Sequence, residues 1–244
     1  MQSLTCINWG TNNFNQNIYI MKKSFYFLMA FVAIVLCSCG GDKQSASQKY
    51  VDLGLPSGTK WATCNIGANS PKEYGDYYAW GVTTKKNYFG WGNYKWSKGD
   101  IWDDLEFTKY CTDNRHGTPD FKSTLDPEDD VARVQLGENW RMPTPDEIRE
   151  LFRECNWQLT DWDGVMGYNV KGPNGSSIFL PFAGLSEDGG IVRRNDAGYY
   201  WSNSLDKRDA EKANNLFMTT THIDEDNDEW RSYGLSVRPV YVGE

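Results

Sequence analysis

Histidine is nearly absent from this chain: two of 244 residues, His116 and His222. That excludes a three-histidine metal centre and leaves little for acid–base chemistry near neutral pH. Cysteine pairs of the C-x-x-C kind, zinc-ligand spacings, a G-x-S-x-G nucleophile turn and a glycine-rich phosphate loop are also missing. Basic residues are in the minority, 25 Lys and Arg against 33 Asp and Glu for a formal charge of −8, which argues against nucleic-acid partners. What is present is an apolar share of 39% with 15% aromatics, enough to pack a globular domain. These scarcities favour a binder over a catalyst, and no cofactor is expected.

The N-terminal part reads as an export signal. Lys22 and Lys23 follow Met21, then twelve apolar residues run from Phe25 to Leu36 and end in Cys37-Ser38-Cys39-Gly40. A charged start, a short apolar stretch and small exit residues are the layout of a secretory signal. Twelve helical residues reach only ~18 Å, against a hydrocarbon core of ~30 Å, so this is not a membrane span. Residues 1–20, polar and Asn-rich, have no place in such a signal, and translation is expected to begin at Met21. Residues 1–38 hold two lysines and no acids; the remainder carries 23 basic and 33 acidic side chains, formally −10.

Leu36-Cys37-Ser38-Cys39 resembles a bacterial lipoprotein signal, departing from it only in Cys37, where Ala, Ser or Thr is usual. The resemblance implies lipidation of Cys39 and membrane anchoring, which takes more than one acyl chain to be stable. The alternative is an ordinary signal cleaved near Ser38. Gly40 in place of Asp points to the outer membrane, with the periplasmic or exposed face left open. Residues 39–48 form a polar tether, and 49–244 a single domain. Past the anchor stand Cys64, Cys111 and Cys155, which allow one disulfide at most; each reads as a buried apolar residue.

The domain opens with a β-hairpin, Tyr50–Leu55 and Thr59–Cys64 around Pro56-Ser57-Gly58. Residues 75–81 read as a short aromatic strand, and 85–125 as a long insertion packed by its own aromatics. One helix is expected from Asp126 as cap with Pro127 in its first turn, and a second from the capping box Thr144-Pro145-Asp146-Glu147. The stripe Ile148, Leu151, Phe152, Cys155 of the second must pack on something. The rest is expected to supply a sheet: a hairpin of 167–171 and 176–182, then strands at 198–202, 213–220 and 233–242, the last two enclosing an acidic loop, Asp224–Glu229. Strands at both ends with two helices between make an α+β domain.

Five ordered blocks carry a resemblance. Val51-Asp52-Leu53-Gly54-Leu55-Pro56-Ser57-Gly58-Thr59-Lys60-Trp61-Ala62, Gly75-Asp76-Tyr77-Tyr78-Ala79-Trp80-Gly81, Trp140-Arg141-Met142-Pro143-Thr144, Tyr200-Trp201-Ser202-Asn203-Ser204 and Ser236-Val237-Arg238-Pro239-Val240 resemble the Fibrobacter succinogenes major paralogous domain. That family is common in lipoproteins of Bacteroides-like bacteria and is similar to C-type lectin-like domains. The resemblance implies a lectin-like fold with its two chain ends paired as strands. Trp61, Trp80, Trp140, Arg141, Trp201 and Arg238 then read as framework, with Arg238 meeting a buried carboxylate or carbonyls.

Binding is expected in loops the frame displays. Asn203, Asp206, Arg208, His222, Asn227, Trp230, Arg231 and Tyr233 mix amides, charges and aromatics suited to a glycan or to a protein ligand. Asp224, Asp226 and Asp228 alternate like calcium ligands, yet Glu229 and Leu235 stand where an EF-hand loop has Gly and Glu, so a solvated acidic turn is the stronger reading. Two alternatives remain: a surface receptor or adhesin diversified by a retroelement over Asn195–Arg231, and an enzyme related to sulfatase-modifying factors.

Overall fold

The computed structural model describes residues 49–99 and 105–243. In chain order the strands begin with β1 (Tyr50–Asp52), β2 (Lys60–Ala62), β3 (Ser97–Lys98), β4 (Glu106–Phe107) and β5 (Trp140–Arg141). Next come β6 (Asn156–Trp162), β7 (Val165–Lys171), β8 (Ser177–Pro181), β9 (Leu185–Glu187) and β10 (Gly190–Val192). The last are β11 (Ala197–Leu205), β12 (Lys212–Thr219), β13 (Ile223–Trp230) and β14 (Val240–Tyr241). The helices among the described residues are α1 (Val131–Leu136) and α2 (Pro145–Glu154). Met21, the signal segment, Cys39 and the tether 39–48 lie outside the described residues. Among those that are described, no helix is long and apolar enough to cross a membrane.

The two ends of the domain meet in one sheet of order β1-β2-β14-β5. Val240 stands opposite Trp61 on one side and Arg141 on the other. Two three-stranded antiparallel sheets, β6-β7-β8 and β11-β12-β13, supply most of the remaining pairing. The architecture is thus α+β, with every paired strand antiparallel to its neighbours.

The β11 strand explains where the core sits. Successive side chains leave a strand on opposite faces, and here both faces are covered. Ala197, Tyr199 and Trp201 enter one apolar cluster with Tyr78, Trp80, Met142 and α1, while Tyr200 enters another with Leu53, Trp61, α2 and β7–β8. Its uninterrupted Ala-Gly-Tyr-Tyr-Trp run follows from this two-sided burial. In α2, Thr144 Oγ1 accepts from the Glu147 N–H at 3.2 Å and Glu147 Oε2 accepts from the Thr144 N–H at 2.8 Å, the reciprocal cap expected of that spacing. Ile148 and Leu151 turn inward; Phe152 and Cys155 are half-buried.

Four expectations about the elements change. The Asp126 carboxylate is held by Lys109 and Lys122, so it caps nothing; Pro127–Asp129 is a 3-10 turn, and Asp130 caps α1 by accepting from the Ala132 N–H at 2.9 Å. Residues 75–81 form no strand beyond a single bridge between Tyr78 and Leu235, because Gly75 and Gly81, at φ +75° and +71°, break the extended path at both ends. Asp224–Glu229 is not a loop but most of β13, paired with β12. In the final segment only Val240 and Tyr241 form a strand, since Pro239 brings no N–H to a ladder. Sequence reading missed β3, β4, β5, β6, β9 and β10.

Candidate functional site

The framework residues are deeply placed. Trp61, Trp80, Trp140 and Trp201 are all buried. Arg238, 1% exposed, donates from Nε to Asn65 Oδ1 at 2.9 Å and from its terminal nitrogens to the carbonyls of Phe179, Ala62 and Thr63 at 2.9–3.3 Å. Its partners are carbonyls and an amide rather than a carboxylate. Arg141 makes a two-pronged pair with Glu147 at 2.6 and 2.7 Å, which holds the carboxylate in place for the α2 cap.

The eight residues expected to bind ligand do not converge on one place. Asn203, Asp206 and Arg208 line a groove of about 550 Å³ with Lys207, Thr144, Asp146, Arg149 and Asp226. Trp230 and Tyr233 line a second groove of about 400 Å³ with Tyr88, Trp91 and Asp188. His222 is exposed beside the β12–β13 turn, and Asn227 donates to Asn215 Oδ1 at 3.1 Å on the hairpin.

Arg231 leaves the binding set altogether. It is fully buried, donates to Tyr94 Oη at 3.0 Å and to the carbonyls of Tyr110, Ala210 and Lys109 at 2.8–3.0 Å, and lies 4.1 Å from the Phe107 ring centre. Its guanidinium fork matches carbonyls brought in from the 85–125 insertion, so it is a clamp for that insertion. The insertion is therefore held by a C-terminal residue as well as by its own aromatics.

Cations of the protein itself answer the acidic strand. Asp226 meets Arg149 at 2.9 Å, and Asp228 meets Lys212 at 2.9 Å and Arg208 at 3.4 Å. Asp224 accepts from the Asp226 N–H at 3.0 Å. Asp226 and Asp228 thus have cations of the protein as partners, and among the described residues the three aspartates are not one of the acidic groups close enough to share an ion. A tighter acidic group, Asp126, Glu128 and Asp129, is already met by lysines: Asp129 accepts from Lys95, Lys109 and the Tyr110 hydroxyl at 2.6–3.0 Å.

In the first groove the chemistry is balanced. Three cations, Arg149, Lys207 and Arg208, face three carboxylates, Asp146, Asp206 and Asp226. Asp206 is buried and receives the N–H groups of Arg208 and Asp209 at 2.7 and 3.0 Å, so its own role is to shape the 206–209 turn. Burial works against its ionisation, but those N–H groups and the Arg208 guanidinium outweigh it and hold the carboxyl below the usual range. Asn203 is fixed through its backbone, N–H to Pro143 O at 2.8 Å and carbonyl to the Leu125 N–H at 3.0 Å, which presents its side chain at the groove. The side chains on offer are amide, hydroxyl and cationic donors set among carboxylate acceptors.

His116 Nε2 lies 3.2 Å from Glu211 Oε1, and neither residue lines either groove. Burial pushes the Cys111 thiol up, and Cys155 up to about 11, the reverse of an activated thiolate. Cys111 sits within 3.2 Å of the Asp113 carbonyl.

Compared with protein-family models, with curated proteins and with solved structures, the chain matches none of them.

Proposed function

We propose that the protein is a non-catalytic recognition domain of the cell envelope, lipid-anchored at Cys39, whose C-type lectin-like frame presents the Asn203–Arg208 groove to a glycan. The observation that carries this is the charge balance of the groove: equal numbers of cations and carboxylates leave hydrogen-bonding capacity without net charge. A neutral polyhydroxylated ligand fits such a surface better than an ion does, because hydroxyls both donate and accept. A volume of about 550 Å³ lies within the usual range of ligand sites.

Pairing of β2 with β14 supports the lectin-like reading, as that fold brings its chain ends together in one sheet. The raised Cys111 and Cys155 thiols support a binding role over a catalytic one. The diversified-receptor alternative draws less support, since Asn214 and Asn215 are buried and Asn195 donates to Gly164 O at 3.0 Å and accepts from the Met166 N–H at 2.7 Å. Those asparagines belong to the frame.

A glycan array probed with the detergent-solubilised chain tests the proposal. Binding to a defined set of neutral glycans is expected, with about tenfold loss in Asn203→Ala and Lys207→Ala, in keeping with one or two hydrogen bonds each. Absence of any glycan signal, or signal unchanged by both substitutions, overturns it.

A further inference from the structure

The second groove differs in kind from the first. Three separate stretches build it: Tyr88 to Gly92 of the insertion, Asp188 in the turn joining β9 to β10, and Trp230 with Tyr233 at the C-terminal end. Each is tied to the next through the backbone. The Asp188 N–H donates to Phe89 O at 2.9 Å, and Ser186 and Gly234 exchange N–H bonds at 2.7 and 2.8 Å. Asp188 and Gly189, at φ +46° and +79°, form the two-residue turn that closes the β9–β10 hairpin. The Asp188 carboxylate is held by the Tyr88 hydroxyl at 3.1 Å. A Cβ on Gly90 would sit 3.2 Å from Tyr88 Cε1 and 3.5 Å from Asp188 Oδ1, so the glycine leaves room for that bond.

Shape and charge both narrow the ligand. The Trp91 and Trp230 rings stand 6.2 Å apart at 81°, a corner rather than a platform. A flat sugar ring stacks on one plane, whereas a right-angled pair of rings with Tyr88 and Tyr233 beside it cups a round group. Among the described residues, Asp188 is the one charged side chain lining the groove. The Tyr233 hydroxyl is pushed up to about 12, first by burial and then by the negative charge of Glu187, Glu229 and Asp188, so the neighbourhood resists a further anion. The Trp230 ring already stands near one cation outside the groove lining, Lys212, whose Nζ is 5.2 Å from its centre.

We propose that the Tyr88–Trp91–Trp230–Tyr233 groove binds a quaternary ammonium group of the choline type. Ring faces attract a cation, and weakly hydrated quaternary heads lose little in leaving water. A primary ammonium brings three donors needing acceptors, and among the described residues the lining offers it one carboxylate, Asp188, shared with the Tyr88 hydroxyl. This site is independent of the polar groove and of the glycan reading.

The test is a titration of the full chain with choline, followed by tryptophan fluorescence and calorimetry, against 3,3-dimethylbutan-1-ol, the neutral isostere of choline. Saturable binding of choline at least about tenfold tighter than the isostere is expected, with about a tenfold loss in Asp188→Asn. Asparagine tolerates the left-handed backbone at 188, so that variant keeps the turn. Trp230→Leu, checked for folding by circular dichroism, is expected to weaken choline by a similar factor. Co-sedimentation with phosphatidylcholine vesicles distinguishes the source: choline binding with vesicle association assigns a lipid headgroup, and choline binding alone assigns a soluble ligand. Equal affinity for choline and isostere, no saturation by choline, or Asp188→Asn binding as well as the parent overturns the proposal.

Discussion

Trp80 and Trp201 hold each other's segments by a reciprocal exchange: the Trp80 indole N–H donates to Ser202 O at 3.0 Å, and the Trp201 indole N–H donates to Tyr78 O at 2.7 Å. Both rings are fully buried in the same cluster. Two short aromatic motifs, 75–80 and 198–201, are thereby locked side by side, although only one bridge of ladder pairing, from Tyr78 to Leu235, reaches the first of them.

Trp201→Phe and Trp80→Phe each remove one buried donor and open some space; Tyr78 O keeps the Leu235 N–H at 3.1 Å, whereas Ser202 O loses its indole donor. Each is expected to cost about 2–3 kcal/mol. Urea denaturation of both singles and the double should show non-additivity of at least about 0.5 kcal/mol, because both exchanges brace one contact.

Arg231→Met keeps much of the side chain's bulk and removes the guanidinium donors from three buried acceptors and the part-buried Lys109 carbonyl. A loss of about 3 kcal/mol is expected. Hydrogen exchange should localise the damage, with amides of 105–111 losing protection while those of β6–β8 keep theirs.

Acid should weaken the α2 cap. Burial alone would raise the Glu147 pKa, but Arg141 and the Thr144 N–H outweigh it and hold the carboxyl below the usual carboxylate range. A carboxyl lowered in the folded state contributes stability above its unfolded pKa, and that contribution fades as pH falls through the folded value. Glu147→Gln is therefore expected to be about 1–2 kcal/mol less stable than the parent at pH 7 and nearly equal to it in strong acid, as thermal melts from pH 7 to pH 2 would show.

Calcium at millimolar concentration should leave the melting temperature unchanged to within about 1 °C, since Arg149, Arg208 and Lys212 already compensate β13. A clear upward shift, reversed by chelator, would restore the metal reading.

Local chemistry was the legible part of the sequence. The Thr144–Glu147 spacing, the Pro56–Gly58 turn and the Gly172–Gly175 turn each name their own geometry within four residues, and each forms as expected. Long-range chemistry was not legible. Nothing near Arg231 in the chain announces that its partners lie at Lys109, Tyr110 and Tyr94, so an arginine beside a tryptophan read as a ligand contact. The acidic run misled for a related reason: six polar residues look like a loop until Lys212 and Arg149, brought in from other elements, neutralise them. Nor does anything local join Asp188 to Tyr88. One signal was within reach, the Asp188-Gly189 dipeptide, which is a strong hairpin mark and places an acid at an exposed turn.

The β1-β2-β14-β5 sheet sets a timetable. A chain emerging N-terminus first has β2 waiting with one edge open until Val240 and Tyr241 arrive, almost 180 residues later. Those two residues are also what join Trp140 and Arg141 to the sheet. The sheet therefore closes only when Val240 and Tyr241 are free of the ribosome, and a chain cut short before them keeps both neighbouring strand edges unpaired and open to other chains.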